Sequence, residues 1–319
     1  MHRGTAGYAL GTDALEATVG NIGAGMMRVG SSRQRWWAGA GLLLAAALAG
    51  MAGAALHHWL DARSQVLLHA RLQARLATLK ITSPAALRTC SSLIASQPLV
   101  LLVLGQSNAA NHGEPTLGGS PATWVMDAGI CSISSDPLPG ATGSGGTPWS
   151  LLPQSLEALG LRRPLLIQLL AVDASNLDDW VRPGSPLRER LRSTVVRNAS
   201  TGLQPQFVLW QQGEADARAG TPPDRYRQGL QALADQLQES GLDVPILVAK
   251  STVCRSSPNA GLRASLSMLV RTDRRFKSGP DTDQVQARRD GCHWDAAGRQ
   301  QVAQAWADQL YSMLGSRPP

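Results

Sequence analysis

Four short apolar runs constrain what this chain can fold into. They are 98-PLVLLVLG-105, 164-PLLIQLLAV-172, 206-QFVLWQQ-212 and 244-VPILVAK-250. Each has the length of a strand and is rich in Val, Ile and Leu. None alternates apolar with polar residues as a strand with one wet face would. Strands of this kind are covered on both sides. Amphipathic segments near 150–160, 186–200, 223–240 and 259–273 lie between and after them. A last helix is expected over 296–314, where Val302, Ala305, Trp306, Leu310 and Met313 form an apolar stripe. Strands that alternate with helices pair in parallel through crossover connections. The expected fold is therefore an α/β class, three-layer α/β/α sandwich with about five parallel strands. The fifth strand belongs near 276–285, where the pattern is weakest. The stretch 113–148, which includes 140-GATGSGGTP-148, is rich in Gly, Pro, Ser and Thr. It is expected to lie over the strand ends and shape a cleft.

Upstream of this pattern, 38-AGAGLLLAAALAGMAGAAL-56 carries no charge and follows Arg28, Arg33 and Arg35. As a helix its 19 residues rise roughly 28 Å, close to the thickness of a bilayer core. The expected organisation is a cytoplasmic tail over 1–35, a transmembrane anchor over 36–59, a stalk helix over 60–96 and a globular domain over 97–319. Arginines on the near side hold the tail in the cytoplasm. The domain would then face the periplasm on a bacterial-type inner membrane, or be secreted if the segment is cleaved after a site such as Ala52-Gly53-Ala54. A translation start at Met26 or Met27 is also open. Nothing in the sequence fixes an oligomeric state.

The net charge is +7 over 319 residues. Residues 1–80 contribute +5 of it, and the remainder of the chain only +2. The globular part has no basic patch interleaved with aromatics, so nucleic acid is not an expected partner.

Ligands of open parallel sheets bind outside the carboxyl ends of the strands. The first run ends in Gly105-Gln106-Ser107-Asn108 and the second in 173-DASNLDDW-180. The third runs into 210-WQQGEADA-217, and past the weak fifth strand comes 290-DGCHWDAAG-298. A serine hydroxyl becomes a nucleophile only with a base in hydrogen-bond reach. His293 is a suitable base, and Asp290 can orient and charge-stabilise its imidazole. An oxyanion needs donors. The backbone N–H of Ser107, the side-chain amide of Gln212 and the backbone N–H of Ala174 are the candidates. Taken singly, each motif has an ordinary reading: Ser107 as a turn or helix cap, His293 as a surface or core side chain, Glu214 and Asp216 as a solvated or capping acidic pair. Their occurrence in order at successive strand ends is what points to ester chemistry.

The set G-Q-S-N, W-x-Q-G-E-x-D and D-x-x-H resembles the sialate O-acetylesterase and acetylxylan esterase family, a branch of the SGNH hydrolase superfamily. The matching residues are Gly105 to Asn108, Trp210 to Asp216 and Asp290 to His293, and 280-PDTD-283 is similar as well. The resemblance spans about residues 97–314. It implies a flavodoxin-like fold, no metal or cofactor, and an acetylated carbohydrate substrate. In it Ser107 is the nucleophile, His293 the base, Asp290 its orienting acid and Gln212 part of the oxyanion hole. Gly105, Gln106, Asn108, Glu214 and Asp216 support the site. The sequence departs from the family at the second block. The family carries a Gly-Gly-Thr-Ser-like turn there, and this chain has Asp173-Ala174-Ser175-Asn176. Ala174 can donate its N–H if φ stays negative, and the Asp173 carboxylate would oppose an oxyanion if it pointed inward.

The four cysteines, Cys90, Cys131, Cys254 and Cys292, allow three pairings. Cys254 follows the fourth strand and Cys292 the fifth, so neighbouring strand ends bring them together. The expected disulfides are Cys254–Cys292 and Cys90–Cys131. The functional expectation is a membrane-anchored serine esterase that removes O-acetyl groups from carbohydrate. A polysaccharide O-acetyltransferase with the same triad and a catalytically silent carbohydrate-binding subunit are the alternatives.

Overall fold

The computed structural model describes residues 32–81, 87–88, 90–116, 123–127 and 129–315. The chain divides into two compact units, residues 1–62 and 63–319. In chain order the strands are β1 (Leu87–Arg88), β2 (Leu99–Gly105), β3 (Thr123–Asp127), β4 (Ile130–Ser134), β5 (Leu165–Ala171), β6 (Phe207–Gln211), β7 (Ile246–Lys250) and β8 (Phe276–Asp281). The helices are α1 (Ser32–Leu76), α2 (Ser91–Ile94), α3 (Leu152–Ala158), α4 (Leu177–Val181), α5 (Pro186–Ala199), α6 (Glu214–Ala219), α7 (Pro223–Glu239), α8 (Ala260–Thr272) and α9 (Ala296–Gly315).

The strands form one sheet in the order β1-β4-β3-β5-β2-β6-β7-β8. From β3 to β8 every neighbouring pair is parallel, while β4 runs antiparallel to β3 and β1 to β4. The four apolar runs are β2, β5, β6 and β7, and the weak fifth is β8. Every residue of β2, β5 and β6 is buried. The period of two along a strand divides β2 between the faces. Leu101 and Val103 join a cluster with Trp149, Leu152, Val302 and Trp306. Leu102 and Leu104 join another with Leu187, Leu230, Leu233 and Leu262. Helices α3 and α9 thus cover one face, and α5, α7 and α8 the other. Each leucine so enclosed contributes roughly 2 kcal/mol of burial.

The sheet exceeds the expected five strands by β1, which precedes β2, and by β3 and β4, which lie within the stretch 113–148. The last two form a hairpin in which Asp127 pairs with Ile130 across a two-residue connection. Gly129 in that connection has φ +82°.

The expected transmembrane helix is overturned. Among the described residues no helix is long and apolar enough to cross a membrane. The apolar run is the first part of α1, and the helix continues through His57, His58, Asp61, Arg63, Arg71 and Arg75. The run is built largely of Ala and Gly, whose small side chains remove little apolar area from water. The expected tail over 1–35 lies almost wholly outside the described residues. The second compact unit starts at Arg63 and so takes in most of the span expected as a stalk. Within that unit Leu72 is buried, and Leu76 and Leu79 pack on the cluster that holds Leu102 and Leu104.

Both expected disulfides are present, Cys90–Cys131 and Cys254–Cys292. The first ties the start of α2 to β4. The second ties the segment after β7 to the segment that carries His293.

Candidate active site

Strand β2 lies between β5 and β6, and the chain moves to opposite sides of it to form them. That is a switch point, where the loops diverge and leave a crevice at the carboxyl edge. Gly105 ends β2 there because the backbones crowd. A Cβ on it would stand 2.2 Å from the Gln211 carbonyl oxygen and 2.7 Å from Ala109 Cβ. The next residues turn away from the sheet, with Ala109 N–H and Ala110 N–H bonded to the Gln106 carbonyl.

Ser107 opens into a cavity of about 230 Å³ that Gln106, His112, Asp173, Ala174, Arg218 and His293 also line, with both members of the Cys254–Cys292 disulfide. His293 Nδ1 lies 2.8 Å from Asp290 Oδ2. Asp290 Oδ1 accepts the backbone N–H groups of Cys292 at 2.9 Å and His293 at 2.7 Å. Burial acts to raise the Asp290 carboxyl. The hydrogen bonds from the His293 backbone and ring and from Cys292 outweigh it and hold the group well below the usual carboxylate range. An ionised Asp290 on Nδ1 fixes the tautomer whose Nε2 can accept a proton. The D-x-x-H spacing works because one carboxylate, three residues ahead, spans both the backbone and the ring of the histidine.

Residues 162–312 match the family model described as carbohydrate esterase, sialic acid-specific acetylesterase. The chain is a carboxylic ester hydrolase. The matched segment contains Ala174, Gln212, Asp290 and His293, and the block with Ser107 lies upstream of it. The esterase is similar in fold to a protein from Arabidopsis thaliana at 17% identity, covering 67% of this chain and 98% of that one with a TM-score of 0.54. Other similar structures are a carbohydrate acetylesterase from Xanthomonas citri (17% identity, 65% and 55% covered, TM-score 0.43) and a carbohydrate esterase family 3 protein from Talaromyces cellulolyticus (13%, 69% and 100%, 0.45). No curated protein matches the sequence.

The remaining sequence-predicted residues of the esterase divide into those on the cavity and those behind it. Among the described residues, the backbone N–H groups of Ser107 and Ala174 have no hydrogen-bond partner. Ala174 takes φ +50° rather than the expected negative value, yet it lines the cavity and its N–H stays free to donate, so the sign of φ does not decide the matter. Its turn keeps the left-handed backbone that glycine favours, at a strain of about 1–2 kcal/mol. Asp173 lies on the cavity wall, with its N–H donated to Thr142 Oγ1 at 2.9 Å.

Gln212 is not where the sequence reading put it. It is fully buried and does not line the cavity. Its amide nitrogen donates to the Ser175 carbonyl at 3.1 Å and to Asp216 Oδ2 at 2.6 Å, and its oxygen accepts from Tyr226 Oη at 3.0 Å. Both N–H bonds are spent inside the protein. Asp216 also accepts the N–H of Leu177 and the hydroxyl of Thr221 at 2.9 Å each. Gln212 and Asp216 thereby join the β6 end to the turn that presents Ala174. Burial raises the Asp216 carboxyl above its usual value.

A second network stands behind Ser107. Asn108 Nδ2 donates to Glu214 Oε1 at 2.7 Å and to the Cys292 carbonyl at 3.1 Å. Ser251 Oγ donates to the same Glu214 oxygen at 2.8 Å. Burial pushes the Glu214 carboxyl up to about 7. Gln106 Oε1 accepts the Ala215 N–H at 3.0 Å. Gln211, Ser251, Tyr226 and Trp294 complete these networks; of these, Ser251 and Tyr226 were not singled out from sequence, and Trp294 was read only as a core or sugar-stacking ring. Trp294 Nε1 donates to the Asn108 carbonyl at 3.1 Å. Its place next to His293 in the chain was the available signal. Among the described residues, no cluster of His, Cys, Asp and Glu could hold a metal ion.

Proposed function

We propose that the esterase removes O-acetyl groups from sugars through an acyl-enzyme on Ser107. One observation carries the reading: His293, its Nδ1 paired with Asp290, lies on the wall of the cavity that holds Ser107, with the unpartnered N–H groups of Ser107 and Ala174 beside it. Ser107 Oγ attacks the acetyl carbonyl carbon, and its proton passes to His293 Nε2. The oxyanion is held by the N–H groups of Ser107 and Ala174. His293 returns the proton to the sugar oxygen as the C–O bond breaks. Water then repeats the sequence on the acyl-enzyme and releases acetate. Asp290, already ionised, stabilises the imidazolium in both halves.

An acetylated sialate is the favoured substrate. The matched family description supports it, and so does Arg218 on the cavity wall, a cation suited to a sugar carboxylate. The two disulfides support an oxidising compartment as the place of work. The test is acetate release from O-acetylated sialate by the full chain and by Ser107→Ala. Release is expected from the first and abolished in the second. Equal release by both refutes the nucleophile.

A further inference from the structure

His112 lies five positions after Ser107 and has no part in the chemistry above. Its ring stacks on that of His293, with centroids 5.5 Å apart and planes inclined by 25°. Its other side meets the glycine-rich segment. His112 Nε2 lies 3.4 Å from Thr142 Oγ1. Gly143 follows at φ +90°, and a Cβ on it would stand 2.9 Å from His112 Nε2 and 2.3 Å from the Asn111 carbonyl oxygen. Two backbone bonds hold that segment against the residue preceding His112: Asn111 N–H to the Thr142 carbonyl at 2.9 Å, and Gly145 N–H to the Asn111 carbonyl at 2.8 Å. The imidazole is wedged between a fixed turn and the base of the triad.

Asp290 grips the His293 ring at one atom, Nδ1. A single hydrogen bond leaves the ring free to tilt about it, and in the mechanism proposed above tilting would carry Nε2 away from Ser107. A flat neighbour on the ring face removes that freedom. We propose that His112 is a positioning residue that holds the His293 imidazole in plane so that its Nε2 stays directed at Ser107. The inference rests on the Ser107–His293–Asp290 reading. A neutral ring suits the role, because a cation there would oppose the imidazolium formed on His293. Burial lowers the His112 pKa, Asp173 opposes that shift, and His293 and Arg289 add to it.

The experiment measures kcat and KM for 4-nitrophenyl acetate with the full chain, His112→Ala and His112→Phe, each checked for fold by circular dichroism and melting. In His112→Ala, kcat should fall on the order of 10- to 100-fold, as displaced reacting groups do, with KM within about twofold. His112→Phe restores the flat face and should recover most of the loss. An unchanged kcat in His112→Ala, or a folded His112→Phe as slow as His112→Ala, overturns the proposal. If either variant fails to fold, Thr142→Val removes the hydroxyl that seats His112. A several-fold lower kcat supports the proposal, and an unchanged kcat overturns it. Ser107→Ala separates the two levels. If it is inactive while His112→Ala matches the parent, only the positioning role is lost. If it is active, the triad reading beneath it is lost.

Discussion

Asn108 Nδ2 donates a 2.7 Å hydrogen bond to Glu214 Oε1, which ties the residue beside the proposed nucleophile to a fully buried carboxyl. The two groups come from the ends of neighbouring strands, β2 and β6. Removing the carboxyl leaves Asn108 and Ser251 with unpaired buried donors. Glu214→Ala should therefore cost about 1–3 kcal/mol of stability. Chemical denaturation at pH 6 checks this.

The same carboxyl sets a pH dependence. Burial above all raises its pKa from the ordinary 4.5 to about 7 in the folded protein. Between those values the folded state binds more protons than the unfolded one, so stability falls as pH rises through this window. Glu214→Gln keeps the shape, cannot ionise and should flatten that slope. Denaturation midpoints at pH 5 and pH 8 measure it. A slope of the same size in the variant contradicts the assignment.

Gln212 spends both amide N–H bonds on Ser175 and Asp216. Gln212→Ala should therefore lower the melting temperature and reduce kcat only about tenfold, below the 10²–10³-fold loss of a direct oxyanion donor. A loss of that larger size with an unchanged melting temperature would show that the amide reaches the oxyanion.

Ala174 holds φ +50° where glycine is at ease. Ala174→Gly should leave the folded protein equally stable or up to about 1 kcal/mol more stable, since relief of strain offsets the added freedom of the unfolded chain. The kcat should not fall. Ala174→Val, with a branched side chain in the same backbone, should destabilise. Thermal melts and acetate release on both variants decide it.

The Cys254–Cys292 bridge lines the cavity and closes a separation of 38 residues. The double substitution Cys254→Ser with Cys292→Ser should cost about 2–4 kcal/mol. It should also lower kcat, because the bridge anchors the segment carrying Asp290 and His293. Melting and acetate release of that variant check both effects.

The sheet was legible where burial is complete. Runs rich in Val, Ile and Leu in β2, β5, β6 and β7 mark strands covered on both faces, and the end of β2 then locates Ser107. The hairpin β3–β4 was hidden because its strands are short and stand in a stretch dominated by Gly and Pro. The pairing Asp127–Ile130 around Ala128-Gly129 was the signal that could have found it. The apolar run in α1 misled because absence of charge was weighed above the low hydrophobicity of Ala and Gly. Gln212 misled for a different reason. A motif fixes a residue's place in the chain, whereas the direction of its amide depends on Ser175 and Tyr226 from two other segments as well as on Asp216 in the same block. His112 carries no motif, and only the fold of the glycine-rich segment brings it to His293.

The central claim is that Ser107 is the nucleophile. Labelling the full chain with a fluorophosphonate and mapping the adduct by peptide mass spectrometry tests it most directly. The account predicts one adduct, on Ser107, with labelling strongly slowed in His293→Ala. An acetate-releasing protein that carries no adduct, or carries it on another residue, would contradict it.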